Sequence, residues 1–255
     1  SKDINQHQVD MTMQRLEGNA LQGTSYINSM FQDYTTYLES VSTAMSKRDD
    51  LISPESINFL NFMSKSTAFE RLAIDFPSGI SYTSDGHILD VSDMNYSKHI
   101  LDKKVFITDM SSAKIDGQPT VSIVVPIIKD GQAVAAVRGT LSAQRLQSSI
   151  DSDFFGGSGY FYLIDSNGNV VAKPKNTNII ISDSGNFFEM AEQFTFCDRC
   201  NIFQIRQDIE QHKSGITSYS YNGQSRYAYY QPVGINKWAL FVAVPASYID
   251  VSSEF

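Results

Sequence analysis

Two cysteines three residues apart form the pattern in this sequence that most suggests catalysis, Cys197-Asp198-Arg199-Cys200. A redox dithiol needs a low-pKa first cysteine at a helix start after a strand, in a thioredoxin-like βαβ arrangement, and the flanking sequence does not predict one. A structural zinc site needs four ligands, whereas only these cysteines and the distant His212 are available. Outside a cell we expect a local disulfide, with free thiols or a redox-sensing pair as the alternatives.

The other metal-ligating residue types do not form a cluster. Residues 165–169 (DSNGN) resemble the start of a calcium loop, but Val170 stands where such loops have glycine and Asn176 where they have an acidic ligand. A tight hairpin explains these residues better. The four histidines are scattered without i, i+4 pairing: His7, His87, His99 and His212. The sequence therefore predicts no metal site, no cofactor and no catalytic triad.

Composition limits the remaining functions. A chain of 255 residues with 42% hydrophobic content is typical of one or two globular domains with ordinary cores. The net charge of −8, without any run of Lys and Arg, argues against nucleic-acid binding. No apolar stretch is long enough to span a bilayer. Because the sequence starts at Ser1 and stops at Phe255, we expect an excised segment, so this absence says little about the parent protein.

One pattern of glycine, strand and proline occurs twice. Gly117 is followed nine residues later by Pro126, and Gly223 is followed nine residues later by Pro232. Strand-like runs cover residues 120–127 and 133–141 in the first copy, and residues 226–233 and 237–244 in the second. Asp116-Gly117, Asp130-Gly131 and Asn222-Gly223 predict type I′ hairpin turns, whose central residues both need positive φ. Each copy therefore ends in a predicted antiparallel meander.

The first 46 residues predict one long helix. Apolar or small residues recur every three or four positions: Val9, Met13, Leu16, Ala20, Gly23, Ile27, Met30, Tyr34, Leu38, Val41 and Met45. Such a helix would reach roughly 60 Å, which exceeds one small module. We expect it to run beside both repeats and to pair partly with a second copy, and the alternative is a core helix packed on its own chain.

Shorter elements complete a mixed α+β pattern. Helices are predicted at 56–66 and 143–150, strand hairpins at 69–93 and 159–174, and a short strand at 105–109, with 96–104 helical or irregular. Turns at Asp85-Gly86 and Asn167-Gly168 divide the two hairpins. Two units of hairpin, helix and meander thus follow one another along the chain.

The order of these runs resembles the double Cache extracellular sensor domain of bacterial transmembrane receptors, over essentially the whole chain. The similar runs are GYFYLIDSNGNVVAKP, GQPTVSIVVPIIKDGQAVAAVRGTLSAQRL and GQSRYAYYQPVGINKWALFVAVPASYI, preceded by the long helix. The resemblance implies a spine helix at 1–46, a membrane-distal PAS-like module at 47–150 and a membrane-proximal one at 151–255. Each module would contain a five-stranded antiparallel sheet flanked by helices.

The same resemblance implies a function. Such domains lie on the extracellular or periplasmic side of the cell membrane, between two membrane helices. They sense small molecules without catalysis for a histidine kinase, a diguanylate cyclase or a chemoreceptor. The competing interpretations are a surface protein whose repeats bind a partner protein, and a thiol oxidoreductase at Cys197.

The resemblance places the ligand in the distal module, between Tyr82 and Thr140. Strand periodicity puts Arg138 and Thr140 on one face of a strand, and Ser122 and Val124 on one face of its neighbour. The candidate lining residues are Tyr82, Lys98, Phe106, Asp109, Ser122, Arg138 and Thr140. Arg or Lys would bind a carboxylate, Asp an ammonium, and an aromatic ring the apolar body or a cation. The alternative is that the charged residues are solvated or belong to the sheet surface.

The chain departs from the amino-acid-binding members that it resembles. Those members carry Arg-x-Trp-Tyr before the meander and an Asp in its last strand, whereas this chain has YSKHIL at 96–101 and Arg138-Gly139-Thr140. The missing Asp removes the usual partner of an α-ammonium, and Lys98 and Arg138 add positive charge. A carboxylate or another anion is therefore favoured, with an amino acid as the alternative.

A run of aromatic residues marks the second copy: Tyr219, Tyr221, Tyr227, Tyr229 and Tyr230, with Trp238. Strands are rich in aromatic residues, so packing within the sheet explains this run best. The alternative is a second, aromatic pocket in the proximal module.

Overall fold

The computed structural model describes residues 2–150, 160–174, 185–247 and 249. The chain divides into two compact units. We call Ser29–Leu146 the first module, and Ser1–Asn28 with Gln147–Phe255 the second module. Residue contacts thus assign the start of the long helix to the second module and its end to the first.

Helices and strands alternate in an α+β order. The helices are α1 (Lys2–Ser46), α2 (Pro54–Lys65), α3 (Asn95–Lys98), α4 (Ala143–Ile150), α5 (Phe187–Ala191) and α6 (Ile202–Glu210), with a 3₁₀ turn at Ile100–Asp102. The first-module strands are β1 (Arg71–Asp75), β2 (Ile80–Thr83), β3 (Ile88–Asp90), β4 (Phe106–Ile107), β5 (Ser111–Ser112), β6 (Pro119–Lys129) and β7 (Gln132–Ser142). The second-module strands are β8 (Tyr160–Ile164), β9 (Val170–Ala172), β10 (Thr195–Phe196), β11 (Gly215–Tyr221), β12 (Gln224–Pro232) and β13 (Ala239–Pro245).

Each module is built on one antiparallel sheet. The first follows the order β3-β2-β1-β7-β6-β4, with β5 also paired to β6, and the second follows β10-β11-β12-β13-β8-β9. The predicted fold class is confirmed. The predicted number of five strands per sheet is too low, because β4, β5 and β10 add two-residue strands at the sheet edges. Strands of two residues carry little sequence periodicity, so β5 and β10 were not predicted from the sequence.

Helix α1 confirms the predicted long amino-terminal helix. Its buried positions include Met13, Leu16, Ala20, Ile27, Phe31, Leu38, Val41 and Met45. In the middle of the helix, Phe31 is buried where the sequence stripe used Met30. Thr35 is likewise buried where the stripe used Tyr34, and the predicted positions resume at Leu38, so the difference is confined to about two turns of the helix.

The repeated proline has the same role in both sheets. Pro126 lies on β6 beyond Val124, the last β6 residue that pairs with β4, so its missing N–H faces no strand. Pro232 lies on β12 beyond Tyr230, the last β12 residue that pairs with β11. A proline is tolerated in a sheet where no neighbour needs its amide donor. Both prolines therefore mark positions where an edge pairing stops.

The turn chemistry agrees with the sequence at two hairpins, whereas at Asp116-Gly117 only the glycine has a positive φ, of 72°, so the type I′ prediction is wrong there. Asp130 and Gly131 have φ of 51° and 76° between β6 and β7, and Asn222 and Gly223 have 50° and 75° between β11 and β12. These are the positive φ angles expected of type I′ turns. The run 69–83, predicted without an internal turn, is interrupted: Gly79 has φ of 92°, and the Phe76 N–H donates to the Ile80 carbonyl at 2.9 Å.

Each module has its own apolar core on one face of its sheet. The first-module cluster includes Val91, Tyr96, Ile100, Val124 and Ala136. The second-module cluster is larger and rich in aromatic residues, among them Tyr162, Phe187, Phe194, Tyr219, Tyr230 and Phe241. Among the described residues, no helix combines the length and apolar composition needed to cross a membrane.

Candidate ligand-binding cavity of the first module

A polar cavity lies on the inner face of the first-module sheet. Hydroxyl residues from four strands line it: Thr83 on β2, Ser111 and Ser112 on β5, Thr120 and Ser122 on β6, and Thr140 on β7. Ser122 and Thr140 are register partners, and their hydroxyl oxygens are 3.4 Å apart. Strand alternation explains this set, because residues directly opposite each other in an antiparallel pair share one face.

A buried ion pair stands at the inner end of the cavity. Arg138 on β7 is 6% exposed and Asp75 on β1 is fully buried. The Arg138 Nε–H donates to Asp75 Oδ2 at 2.7 Å, and Nη2 donates to Asp75 Oδ1 at 3.3 Å. Because one arginine donates to both oxygens of one carboxylate, the pair has the strong bidentate geometry.

Hydroxyl groups satisfy the rest of this ion pair. The Arg138 Nη2 donates to Ser81 Oγ at 3.1 Å, and Nη1 donates to Thr140 Oγ1 at 3.1 Å. Ser81 in turn donates to Asp75 Oδ1 at 2.5 Å. The charge of Arg138 is therefore balanced and hydrogen-bonded within the protein, as a buried charge requires.

The Tyr96 ring covers the guanidinium. The Arg138 Cζ lies 4.7 Å from the ring centroid, which is a cation–π distance. Burial opposes the charge of Arg138, but Asp75 and Tyr96 outweigh that effect and raise the pKa of the guanidinium. Burial also raises the pKa of Tyr96 to about 12, so its phenol keeps its proton at neutral pH.

Two further cations line the cavity, and only one has a close partner. Lys114 Nζ donates to Asp93 Oδ2 at 2.6 Å. The nearest carboxylate oxygen to Arg71 Nε belongs to Asp85 at 3.6 Å, too far for a hydrogen bond, and this buried Nε has no acceptor. Partial burial of Asp85 acts against its charge, but a Thr83 hydrogen bond and the Arg71 charge lower its pKa. The charged residues that line the cavity are all cations.

The cavity is small in this structure. Its volume is about 20 Å³, which is room for about one water molecule. Ligand sites for small organic molecules usually measure about 300 Å³ or more. In this structure the cavity is therefore too small to hold a small organic molecule.

A family model for the Cache domain, of the double Cache type, matches residues 2–252. The chain belongs to the Cache domain family. Domains of this type are extracellular sensory domains of membrane receptors. This Cache domain is therefore an extracytoplasmic ligand-sensing domain of a signalling receptor, and it is not an enzyme. No curated protein sequence shows a significant match to it.

Solved sensory domains share its fold at low sequence identity. The sensory domain of the Campylobacter jejuni chemoreceptor Tlp3 (CcmL), with isoleucine bound, has a TM-score of 0.71 at 14% identity and covers 98% of this chain and 99% of its own. The ligand-binding domain of the Pseudomonas aeruginosa PAO1 amino acid chemoreceptor PctB, in complex with L-Arg, has a TM-score of 0.68 at 17% identity, with coverages of 93% and 90%. The extracellular domain of mmHK1S-Z3, described as a histidine kinase, has a TM-score of 0.67 at 14% identity. The match covers 94% of this chain and 97% of that domain.

Three of the seven residues proposed from the sequence line the cavity of this Cache domain: Ser122, Arg138 and Thr140. The other four lie outside its lining. Tyr82 lies on the face of β2 opposite to Ser81 and Thr83. Its ring packs edge-on against the Phe76 ring, with the two ring centroids 5.9 Å apart. Lys98 is exposed on α3.

Phe106 and Asp109 lie near the outer edge of the sheet. Phe106 stacks on His99 with ring centroids 4.4 Å apart and packs against the first-module core. Asp109 is half-buried in the connection between β4 and β5. These two residues therefore belong to segments beside the cavity and do not form its wall.

Sequence reasoning missed Asp75, Arg71 and Lys114. Arg71, Ala73 and Asp75 alternate along β1 and share the face of their β7 partners, which include Arg138 and Thr140. That alternation was visible in the sequence as RLAID. The pairing of β1 with β7, across more than sixty residues of chain, was not.

The two cysteines of this Cache domain lie in the second module. Cys197 and Cys200 form a disulfide with a Cα–Cα distance of 5.1 Å. They follow β10, an edge strand that pairs antiparallel with β11, and precede α6. A thioredoxin-like redox motif instead lies in a parallel βαβ unit. Among the described residues, no group of three potential metal ligands is formed.

Proposed function

We propose that the first-module cavity binds a small molecule through a carboxylate or a comparable anionic group. The observation that carries this proposal is Arg71, which lines a cavity whose charged residues are all cations and whose buried Nε–H lacks a hydrogen-bond acceptor. A ligand carboxylate would supply that acceptor, since an unmet buried donor costs about 1–3 kcal/mol.

The class of ligand is inferred from the charged groups of the site that already have partners. Tlp3 with isoleucine and PctB with L-Arg both hold ligands that have an α-carboxylate. In this chain the carboxylate of Asp75 is occupied by Arg138, and the lining contains no Asp or Glu for an ammonium. These contacts favour a carboxylate without an amine. An α-amino acid is the second candidate, because the structural neighbours bind amino acids.

Binding requires the cavity to open. Residues 111–115, which include β5 at the edge of the sheet, and Met94 form part of the cavity wall. In our proposal these segments separate to admit the ligand and close over it. A ligand that prefers the closed form shifts the receptor by its difference in affinity for the two forms.

One strand separates the cavity from the long helix. Arg138 and Thr140 face the cavity, whereas Gly139 between them contacts Phe69 on the other face, where a Cβ would lie 2.5 Å from the ring. The Phe69 ring packs against Tyr34 and Tyr37 of α1, with centroids 5.4 and 6.4 Å apart. We propose that movements of β7 reach α1 through this ring.

A thermal-shift screen tests the site. The probes are sodium salts of mono- and dicarboxylates larger than propionate, α-amino acids, and the matching uncharged amides. We expect a carboxylate to stabilise the protein by about 2.7 kcal/mol at 100 times its dissociation constant, and the matching amide to have no effect. The R71Q variant should lose the response, and R145Q should keep it, because Arg145 is an exposed arginine of the same module outside the cavity.

Two results would contradict the proposal. If R71Q responds like the unmodified protein, the ligand binds elsewhere. If a bound ligand leaves amide hydrogen exchange in residues 29–46 unchanged, the route through Phe69 to α1 is wrong, even where binding itself is retained.

The membrane arrangement is a further proposal. We place the module at 47–150 distal to the membrane and the module at 151–255 proximal to it, with flanking membrane helices and with α1 in contact with a second copy of the domain. Met11 and Leu21 of α1, exposed by 54% and 50%, support the contact with a second copy. Sedimentation at rising concentration tests the dimer, and a full-length protein without flanking apolar helices would contradict the membrane arrangement.

A further inference from the structure

The second module contains a buried arginine without a carboxylate. Arg226 on β12 is 5% exposed. Its Nη2 donates to Gln224 Oε1 at 3.0 Å, but its Nε and Nη1 have no hydrogen-bond partner. In the part of the chain that the structure describes, no carboxylate lies within 4 Å of it. A buried charge is costly unless it is paired, and the polar groups next to this guanidinium, the Gln224 amide and the Tyr219 phenol, are both neutral. Among the described residues this arginine therefore lacks a charged acceptor.

Two neutral hydroxyl groups of the second module also lack hydrogen-bond partners. Tyr162 Oη and Thr217 Oγ1 are buried and have no partner. Thr217 pairs in register with Ala228, two residues along β12 from Arg226 and on the same face. Burial raises the pKa of Tyr162, and Arg226 offsets part of that rise, so the phenol keeps its proton at neutral pH. Both hydroxyls can therefore donate hydrogen bonds.

Aromatic rings surround these donors. The Arg226 Cζ lies 5.2 Å from the Tyr160 ring centroid and 6.0 Å from that of Tyr221. The floor beside them is formed by Ala228 and its register partner Ala243, which carry only methyl groups. A short alkyl group suits such walls.

A surface groove leads to the same arginine. Its volume is about 290 Å³, and its lining includes Phe196, Cys197, Tyr219 and Arg226. The groove lies beside Arg226 at the edge of the sheet, and its lining includes neither Tyr162 nor Thr217.

We propose that Tyr162, Thr217 and Arg226, which we call the Arg226 cluster, bind a small carboxylate of about acetate to propionate size. The number of donors in the cluster suits the number of hydrogen bonds that a carboxylate accepts. The cluster offers N–H donors at two guanidinium nitrogens and two hydroxyl donors, and a carboxylate accepts about four hydrogen bonds. This site is separate from the first-module cavity, so the second module carries its own input.

Thermal unfolding with sodium acetate tests the site. Sodium chloride at equal ionic strength and acetamide, the uncharged isostere, are the comparisons. We expect a saturable rise of the unfolding midpoint with acetate only. An equal rise of the unfolding midpoint with chloride would indicate a site for any small anion. An equal rise with acetamide would show that the negative charge of acetate does not contribute to binding. Either result overturns the proposal.

Matched variants locate the response. R226M should abolish it, whereas R206M should keep it, because Arg206 also lies over an aromatic ring, at 4.4 Å from the Phe188 centroid, but is exposed. Y162F and T217V retain the charge and each remove one donor, so each should weaken acetate binding about fivefold or more. These two variants keep the test decisive if R226M does not fold.

The first module provides the last control. R71Q should leave the acetate response of the Arg226 cluster intact, even if it abolishes binding in the first-module cavity. Loss of the response in R71Q with retention in R226M would place the acetate in the first module and overturn the proposal. Absence of any acetate response in the unmodified protein would also overturn it.

Discussion

The two modules solve the problem of a buried arginine in opposite ways. In the first, Arg138 donates to both oxygens of Asp75 and is completed by Ser81 and Thr140. In the second, Arg226 has one surface amide as its partner and retains two nitrogens without an acceptor. The first cation is therefore a structural element of its sheet, whereas the second has no carboxylate partner among the described residues, and we propose that a ligand supplies one.

The largest expected effect comes from breaking the complete pair. Asp75→Asn leaves Arg138 buried without a counter-charge and should lower the free energy of unfolding by about 3–5 kcal/mol. Urea denaturation followed by circular dichroism measures this loss. The control is Asp85→Asn, whose longer contact with Arg71 is partly exposed and should change stability by less than about 1 kcal/mol. Similar losses in both variants would show that the Asp75 pair is not special.

The second prediction compares glycines that seat an aromatic ring in each sheet. An added Cβ at Gly139 would lie 2.5 Å from the Phe69 ring, and at Gly215 it would lie 2.2 Å from the Tyr230 hydroxyl, which donates to Asp208. Gly139→Ala and Gly215→Ala should each cost about 1–3 kcal/mol by overpacking. Gly18→Ala, in open space on α1, should instead stabilise by about 0.5–1 kcal/mol. Denaturation midpoints test all three, and stable sheet variants would mean that the rings move away freely.

The third prediction sharpens the contrast between the two arginines. Without added carboxylate, Arg226→Met removes an unmet charge and keeps most of the side-chain volume, so it should stabilise the protein by about 1 kcal/mol. Arg138→Met should do the opposite, because it leaves Asp75 unpaired. Differential scanning calorimetry in carboxylate-free buffer compares the two, and destabilisation by Arg226→Met would mean that packing of the guanidinium outweighs its charge.

The smallest expected effect concerns one helix cap in each module. Ser53 Oγ accepts from the Ser56 N–H at 3.1 Å before α2, and Asn201 Oδ1 accepts from the Gln204 N–H at 2.8 Å before α6. Ser53→Ala and Asn201→Ala should each cost about 1 kcal/mol. Ser66→Ala, after α2, is the control and should be nearly neutral. Thermal unfolding distinguishes them, and equal midpoints in all three would show that solvent replaces the caps.

Local signals made most of the fold predictable. Asp130-Gly131 and Asn222-Gly223 fix their hairpins through positive φ, and the repeated proline spacing pointed to a fold used twice. These features depend on residues that are close in sequence. The length of α1 was equally clear from its periodicity, whereas the exact buried face in its middle depends on packing that the sequence does not show.

The candidate sites were only partly predictable. Alternation along β6 and β7 placed Ser122, Arg138 and Thr140 together, because neighbours in a meander are close in sequence. Asp75 is 63 residues from Arg138, so their pairing depends on a non-local strand contact. The Arg226 cluster was visible only as a tyrosine-rich run, since the absence of a partner is a property of three-dimensional structure.

The two sheet prolines have a consequence for how such domains can be crowded together at a cell surface. Exposed strand edges invite other strands, and neighbouring molecules can polymerise through them. Pro126 and Pro232 remove one amide donor from β6 and β12 just where their outer edges lose a neighbour. Each module thereby interrupts the row of hydrogen bonds that an invading strand would need, and in the first module the Ser42 hydroxyl of α1 also occupies the Pro126 carbonyl.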